Sequence, residues 1–143
     1  MAKPVVTAGA LMMDDEGRFL LGLRASWKPA WPDHWDVVGG RVEAGETPEE
    51  AMVREVQEET GVTPTSFRWL ARFPERRPDL NGEGLHHIYL VTSWEGGEPR
   101  NICDEHSDLR WFLPEEIAAI PNLVDDSYRE LTSSLRSHHS LHG

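Results

Sequence analysis

The chain has 143 residues and a formal net charge of −11, a size that suits one domain with a core of its own. That acidity argues against duplex nucleic acid and anionic membrane as partners, since both require basic patches. Cys103 is the only cysteine, so no internal disulfide forms; with no membrane-length apolar run and no signal-peptide layout at the N-terminus, the expected address is cytoplasmic.

In chain order, Val5 to Met13 reads as a strand and Arg18 to Arg24 as a second. Asp14-Asp15-Glu16-Gly17 supplies turn chemistry between them, which predicts a hairpin. Ala25 to His34 holds two prolines and two tryptophans and predicts a loop. Trp35 to Val38 predicts a short buried strand that leads into Gly39-Gly40. A helix follows from Pro48. Phe67 to Phe73 and Leu85 to Trp94 read as strands, joined by a polar loop from Pro74 to Gly84. Leu109 to Leu113 predicts another short strand, Pro114-Glu115-Glu116 one helical turn, and Asp125 to Arg136 a closing amphipathic helix. Strands around one central helix, with a second helix at the end, predict an α/β fold with a mixed sheet between helices. One domain over residues 1–136 and a frayed His/Ser-rich tail over 137–143 are expected.

The stretch from Gly40 to Val62 carries the chemistry. Thr47 is a good N-cap, Pro48 suits the first helical position, and Glu50 completes a Thr-x-x-Glu capping box. Gly61 is placed to end the helix in a left-handed conformation. Each helical residue turns by about 100°, so Glu55, Glu58 and Glu59 fall within one arc of about that width. Like charges held that close repel, and an all-carboxylate set suits a hard cation such as Mg²⁺ or Mn²⁺. Met52, Val53, Val56 and Thr60 form the less polar side, which enters a core while the glutamate face stays wet. Arg54 lies beside that face, able to pair with Glu58 one turn on or with Glu46 from the preceding loop. Gly39, Gly40 and Gly45 mark a loop into the helix N-terminus, where free amides and the dipole favour phosphate.

Gly40, Glu46, Arg54-Glu55-Val56, Glu58-Glu59 and Gly61-Val62 stand at the spacing of the Nudix box with no position missing. The chain resembles the MutT-like members of that family. The resemblance implies an α/β/α sandwich with the box as loop-helix-loop. It implies that Glu55, Glu58 and Glu59 hold Mg²⁺ or Mn²⁺, with one of them the general base in some members. It implies a metal contact from the Gly39 backbone carbonyl, although Val38 stands where relatives commonly have proline. Glu46 and Arg54 are expected to pair and hold the loop on the helix. Glu105, six residues before Trp111, matches a further ligand or base of the MutT branch, with Asp104, Asp108 and Glu83 as competitors. For the substrate, Trp27 or Trp31 offers an indole to stack on a base. Arg24 and Gly40 are placed to meet phosphate, and Asn122 is similar to a base-reading asparagine of some relatives.

The implied activity is metal-dependent hydrolysis of a phosphoanhydride in a small nucleotide-type diphosphate, most simply a (d)NTP to NMP and pyrophosphate. A bound divalent cation reverses the local sign of an acidic site, so the net charge is no obstacle. The alternatives are ADP-ribose or another nucleoside-diphosphate conjugate as substrate, and a non-catalytic nucleotide-binding sensor. The isomerase branch of the fold uses a cysteine before the box, whereas Cys103 lies well after it. A homodimer is compatible with the sequence, and nothing in the sequence selects it.

Overall fold

The computed structural model describes residues 3–142, with side chains described through Leu135. The strands are β1 (Val5–Met12), β2 (Phe19–Arg24), β3 (Trp35–Asp36), β4 (Val38–Arg41), β5 (Thr63–Pro74), β6 (Gly84–Glu95) and β7 (His106–Phe112). The helices are α1 (Pro48–Thr60), α2 (Pro78–Asn81), α3 (Pro114–Ala118) and α4 (Ser127–His142). None of the described helices is long and apolar enough to cross a membrane.

Strand β1 explains the architecture. Its side chains alternate faces, as strand geometry requires. Ala8, Ala10 and Met12 enter one apolar cluster, together with Leu20, Val38, Tyr89 and Val91. Leu11 and Met13 enter a second, together with Phe19, Leu21, Val37, Ile88 and Leu90. Neighbouring residues of β1, β2 and β6 therefore point to opposite cores, and both sheet faces are covered. Helix α1 closes the first cluster with Ala51, Met52 and Val56. Ile117 of α3, Tyr128 of α4, and Ile120 and Leu123 between them close the second. The result is an α/β/α sandwich.

Two local expectations are corrected. β1 and β2 are not a paired hairpin. β1 already has both edges filled, antiparallel to β4 and parallel to β6, in a mixed sheet ordered β4-β1-β6-β5. β2 belongs to a second sheet, β3-β2-β7, and next to β1 the pairing is limited to the isolated Met13–Phe19 bridge and the Asp14 amide on the Arg18 carbonyl at the turn. The segment from Trp35 to Val38 is likewise two strands rather than one. β3 stays in the second sheet, and the chain crosses at Val37 to begin β4 in the first.

The polar segment before β6 contains the single turn of α2, and α4 begins later and runs further than expected. The tail over 137–143 falls on side chains outside those described, and Gly143 lies outside altogether.

The Gly39-Gly40 pair is required by close approach. Gly39 pairs with Gly9, and a Cβ on Gly39 would strike the Ala8 carbonyl and the Gly9 backbone. β1 and β4 thus press together beside the first turns of α1, and this contact positions the site.

Candidate active site

Helix α1 is capped as its sequence requires. Thr47 Oγ1 accepts from the Glu50 amide at 3.1 Å, and Glu50 Oε1 accepts from the Thr47 amide at 2.9 Å. Gly61 ends the helix at φ 78°. The glutamates do not all stay wet, which corrects the expected amphipathic division. Glu58 and Glu59 sit about 100° apart on the helix, at opposite edges of the acidic arc. Glu58 points to solvent, whereas Glu59 is 2 % exposed and shares the buried side with Met52, Val56 and Thr60.

Glu55, Glu59 and Glu105 each bring one carboxylate oxygen to within 4.8 Å of the others. Glu105 arrives from the turn before β7, where its carbonyl accepts from the Ala25 amide at 2.9 Å. Glu59 Oε1 lies 3.2 Å from His106 Nε2, and Glu59 Oε2 has no hydrogen-bond partner among the described residues. Burial, then the negative charge and hydrogen bonding of Glu55, push the Glu59 carboxyl up to about 10. Glu105 is held below the usual carboxylate range by Lys28, whose Nζ lies 2.8 Å away. Burial lowers the His106 imidazole, so the ring is neutral at ordinary pH.

An orphaned, buried oxygen among three clustered carboxylates is costly without a cation. The donor set is all oxygen, which fits a hard divalent ion. Among its described residues, the chain thus has a site suited to divalent metal.

Arg54 organises the edge of this cluster. All five of its N–H groups are used. Nε and Nη2 donate to the two Glu46 oxygens at 2.7 and 2.9 Å, and Nη2 also donates to the Arg41 carbonyl at 3.0 Å. Nη1 donates to Glu55 at 2.9 Å and to Glu58 at 3.3 Å. The fork holds Glu46 down to about 2, chiefly through its hydrogen bonds. Gly40 leaves room for this arrangement, because a Cβ there would overlap the Glu55 carboxyl.

Glu55 and Glu105 face a cavity of about 430 Å³, which Gly39, Gly40, Arg24 and Trp31 also line. Arg24 Nε donates to the Ala30 carbonyl at 2.9 Å, and Trp31 Nε1 donates to Glu75 at 3.0 Å. Trp27 is 61 % exposed and outside the lining. Asn122 is also outside it, with Nδ2 donating to the Asp33 carbonyl at 2.7 Å. The structure therefore brings Arg24, Trp31, Gly39, Gly40, Glu55 and Glu105 to one cavity and places Glu59 behind it. Glu46, Arg54 and Glu58 lie outside the lining and join it through the Arg54 contact to Glu55.

Several lining residues escape sequence reasoning: Lys28, Asp36, Glu75, His86, Asp125 and Tyr128. His86 reaches the cavity wall because β6 runs parallel to β1, which sets its Nδ1 2.6 Å from Thr7 Oγ1. No local pattern announces that pairing. Lys28 carried a signal, as a lone cation between two tryptophans in the loop before the box.

Comparison with known proteins agrees with this geometry. The NUDIX domain model matches residues 3–134. The nucleoside triphosphatase NudI of Salmonella agona is 36 % identical over 116 residues, covering 75 % of this chain and 81 % of that protein. The MutT NUDIX hydrolase of Burkholderia pseudomallei superposes with a TM-score of 0.79 at 27 % identity, covering 92 % of this chain and 98 % of that one. The NUDIX domain of Shewanella oneidensis NrtR, solved as a complex with ADP ribose, shares the fold at a TM-score of 0.76 and 20 % identity, covering 96 % and 90 % of the two chains. With an unbroken box, a clustered carboxylate trio and a domain match along nearly its whole length, the chain belongs to the Nudix family as a MutT-like hydrolase.

Proposed function

We propose that this Nudix hydrolase splits a nucleoside triphosphate into a nucleoside monophosphate and pyrophosphate, with Mg²⁺ or Mn²⁺ held by Glu55, Glu59 and Glu105. The observation that carries the reading is the orphaned Glu59 oxygen beside two further carboxylates that open on the cavity. The cavity is within the range of small-molecule sites. The Salmonella relative is a nucleoside triphosphatase by name, which supports the choice of substrate.

When bound, the ion supplies charge neutralisation at phosphate oxygens and acidifies a water. The protein's own groups do the rest. Glu59, out of contact with the cavity, serves only to bind. Glu55 and Glu105 face the cavity, so the carboxylate that takes the water proton is one of these two. Arg54 fixes Glu55 through Nη1 and is itself fixed by Glu46. Glu58 shares that nitrogen and adds negative charge beside Glu55, outside the trio. The Gly39 carbonyl is a further oxygen donor at the β4 edge. Lys28 and Arg24 bind the phosphates, with the Gly40 backbone close by. Trp31 offers its indole to the base, and Trp27 flanks the entrance. Asn122 holds the loop over 25–34 through Asp33.

The test is a substrate panel with Mg²⁺ that covers normal and oxidised (d)NTPs, ADP-ribose and diadenosine polyphosphates, with products identified by ³¹P NMR. Pyrophosphate and monophosphate from a triphosphate support the proposal. Turnover of ADP-ribose alone replaces the substrate. Binding without turnover of any compound reduces the chain to a sensor module.

A further inference from the structure

We propose that His106 is a positioning residue for Glu59: its ring, seated against Gly22, donates from Nε2 to Glu59 Oε1 and so turns Oε2 toward the ion. The inference rests on Glu59 being a metal ligand.

The seat comes first. His106 opens β7 and pairs with Arg24 across a register shift in β2. Its ring lies flat enough on Gly22 that a Cβ there would fall 2.6 Å from Cδ2 and 2.9 Å from both Cγ and Nε2. Any side chain at position 22 would displace the imidazole. The ring is 7 % exposed, and its backbone carbonyl is held by Asn101 Nδ2 at 2.8 Å. The histidine is therefore fixed from below and from its own main chain.

The hydrogen-bond inventory then orients it. With an ion on Oε2, Glu59 is ionised and only accepts, so in that state the nitrogen 3.2 Å from Oε1 carries the proton. Nδ1 is left as the acceptor, and it faces the Cys103 thiol with Sγ 3.6 Å away. Cys103, whose thiol also faces Asn101 Oδ1 at 3.9 Å, and Glu59 thus lie on either side of the ring. With Oε1 taken by His106, Oε2 is the oxygen left for a cation, and it is the orphaned one.

Ligand atoms of Cys103, His106 and Glu59 also lie within 4.8 Å of one another, the spacing of a chelate. The contacts set the ring between the other two groups instead, because Cys103 and Glu59 meet opposite nitrogens.

Loss of a group that orients a metal ligand costs about 10- to 100-fold in metal affinity. The test measures Mn²⁺ dissociation constants by EPR on the full chain, with urea midpoints to report folding. His106→Leu should weaken Mn²⁺ at least about tenfold and lower kcat in parallel, with nucleotide KM at saturating Mn²⁺ changed less than about twofold. His106→Gln, whose amide N–H replaces the one on Nε2, should restore affinity to within about threefold. Gly22→Ala, which moves the ring and keeps the donor, should reproduce the leucine result. Equal Mn²⁺ affinity in the leucine and wild-type proteins, or equal loss in the leucine and glutamine variants, overturns the proposal. Glu59→Gln separates the two levels. If it binds Mn²⁺ as wild type does, the ligand assignment itself fails; if it loses Mn²⁺ while His106→Leu does not, only the positioning role fails.

Discussion

Substituting Glu59 by glutamine tests the buried carboxyl at its most unusual property. Without metal, burial and the negative charge of Glu55 hold this group at about 10, against an ordinary 4.5. Below pH 4.5 the folded and unfolded chains both carry its proton. Between 4.5 and 10 the unfolded chain has released the proton and the folded chain keeps it, so stability falls as pH rises. The slope is about 1.4 kcal/mol per pH unit for one proton, so raising the pH from 7 to 9 removes up to about 3 kcal/mol. Glutamine has the shape of the protonated acid and does not titrate. In urea unfolding with a chelator present, the wild type should lose stability across that interval, while the variant stays nearly level and is the more stable protein at pH 9. Adding Mn²⁺ at 100-fold excess over its dissociation constant should return about 2.7 kcal/mol to the wild type and much less to the variant. Parallel pH profiles for the two metal-free proteins would refute the reasoning, because Glu59 would then carry no buried proton.

Other substitutions probe the surroundings of this group. Gly40→Ala drives a methyl group into the Glu55 carboxyl and should lower kcat about 10- to 100-fold, the cost of a small misplacement, with the urea midpoint little changed; a rate equal to wild type would contradict the contact. Arg54→Lys replaces five donors with three and loses the fork on Glu46, so Mg²⁺-dependent turnover should fall at least about tenfold. A steady-state rate within twofold or so of wild type would remove Arg54 from the machinery. Lys28→Met deletes the cation that sits on Glu105. Mn²⁺ should then bind the nucleotide-free protein several-fold more tightly, while nucleotide KM rises about tenfold, since the same amine is freed for phosphate once an ion takes its place. Unchanged values of both constants would show that Lys28 is a surface pair only.

The parts of the site that are local in sequence were legible, and the parts made by tertiary pairing were not. Helix α1 announces its own limits through Thr47, Pro48, Glu50 and Gly61. The Glu46–Arg54 pair is readable because loop and helix are contiguous. The wet-face expectation failed at Glu59 because helical spacing fixes relative angles and does not say which edge of an arc the core will cover. β1 and β2 look like a hairpin because turn residues join two apolar runs. What decides otherwise is that β4 and β6 occupy both edges of β1, and the β6 partner lies some 79 residues away at the Thr7–His86 contact. The cavity wall has the same origin. His86, Glu75 and Asp125 are ordinary polar residues in their own segments and meet only when the parallel pairing and the return of α4 bring them together.

The central claim is that Glu55, Glu59 and Glu105 grasp one divalent ion beside the Gly39-Gly40 strand. Anomalous scattering at the manganese edge, from crystals grown with Mn²⁺, tests it most directly. We expect a peak in contact with carboxylate oxygens of all three glutamates, lost in the Glu59→Gln protein. A protein that binds Mn²⁺ with its peak elsewhere, or shows none at this trio, would contradict the account.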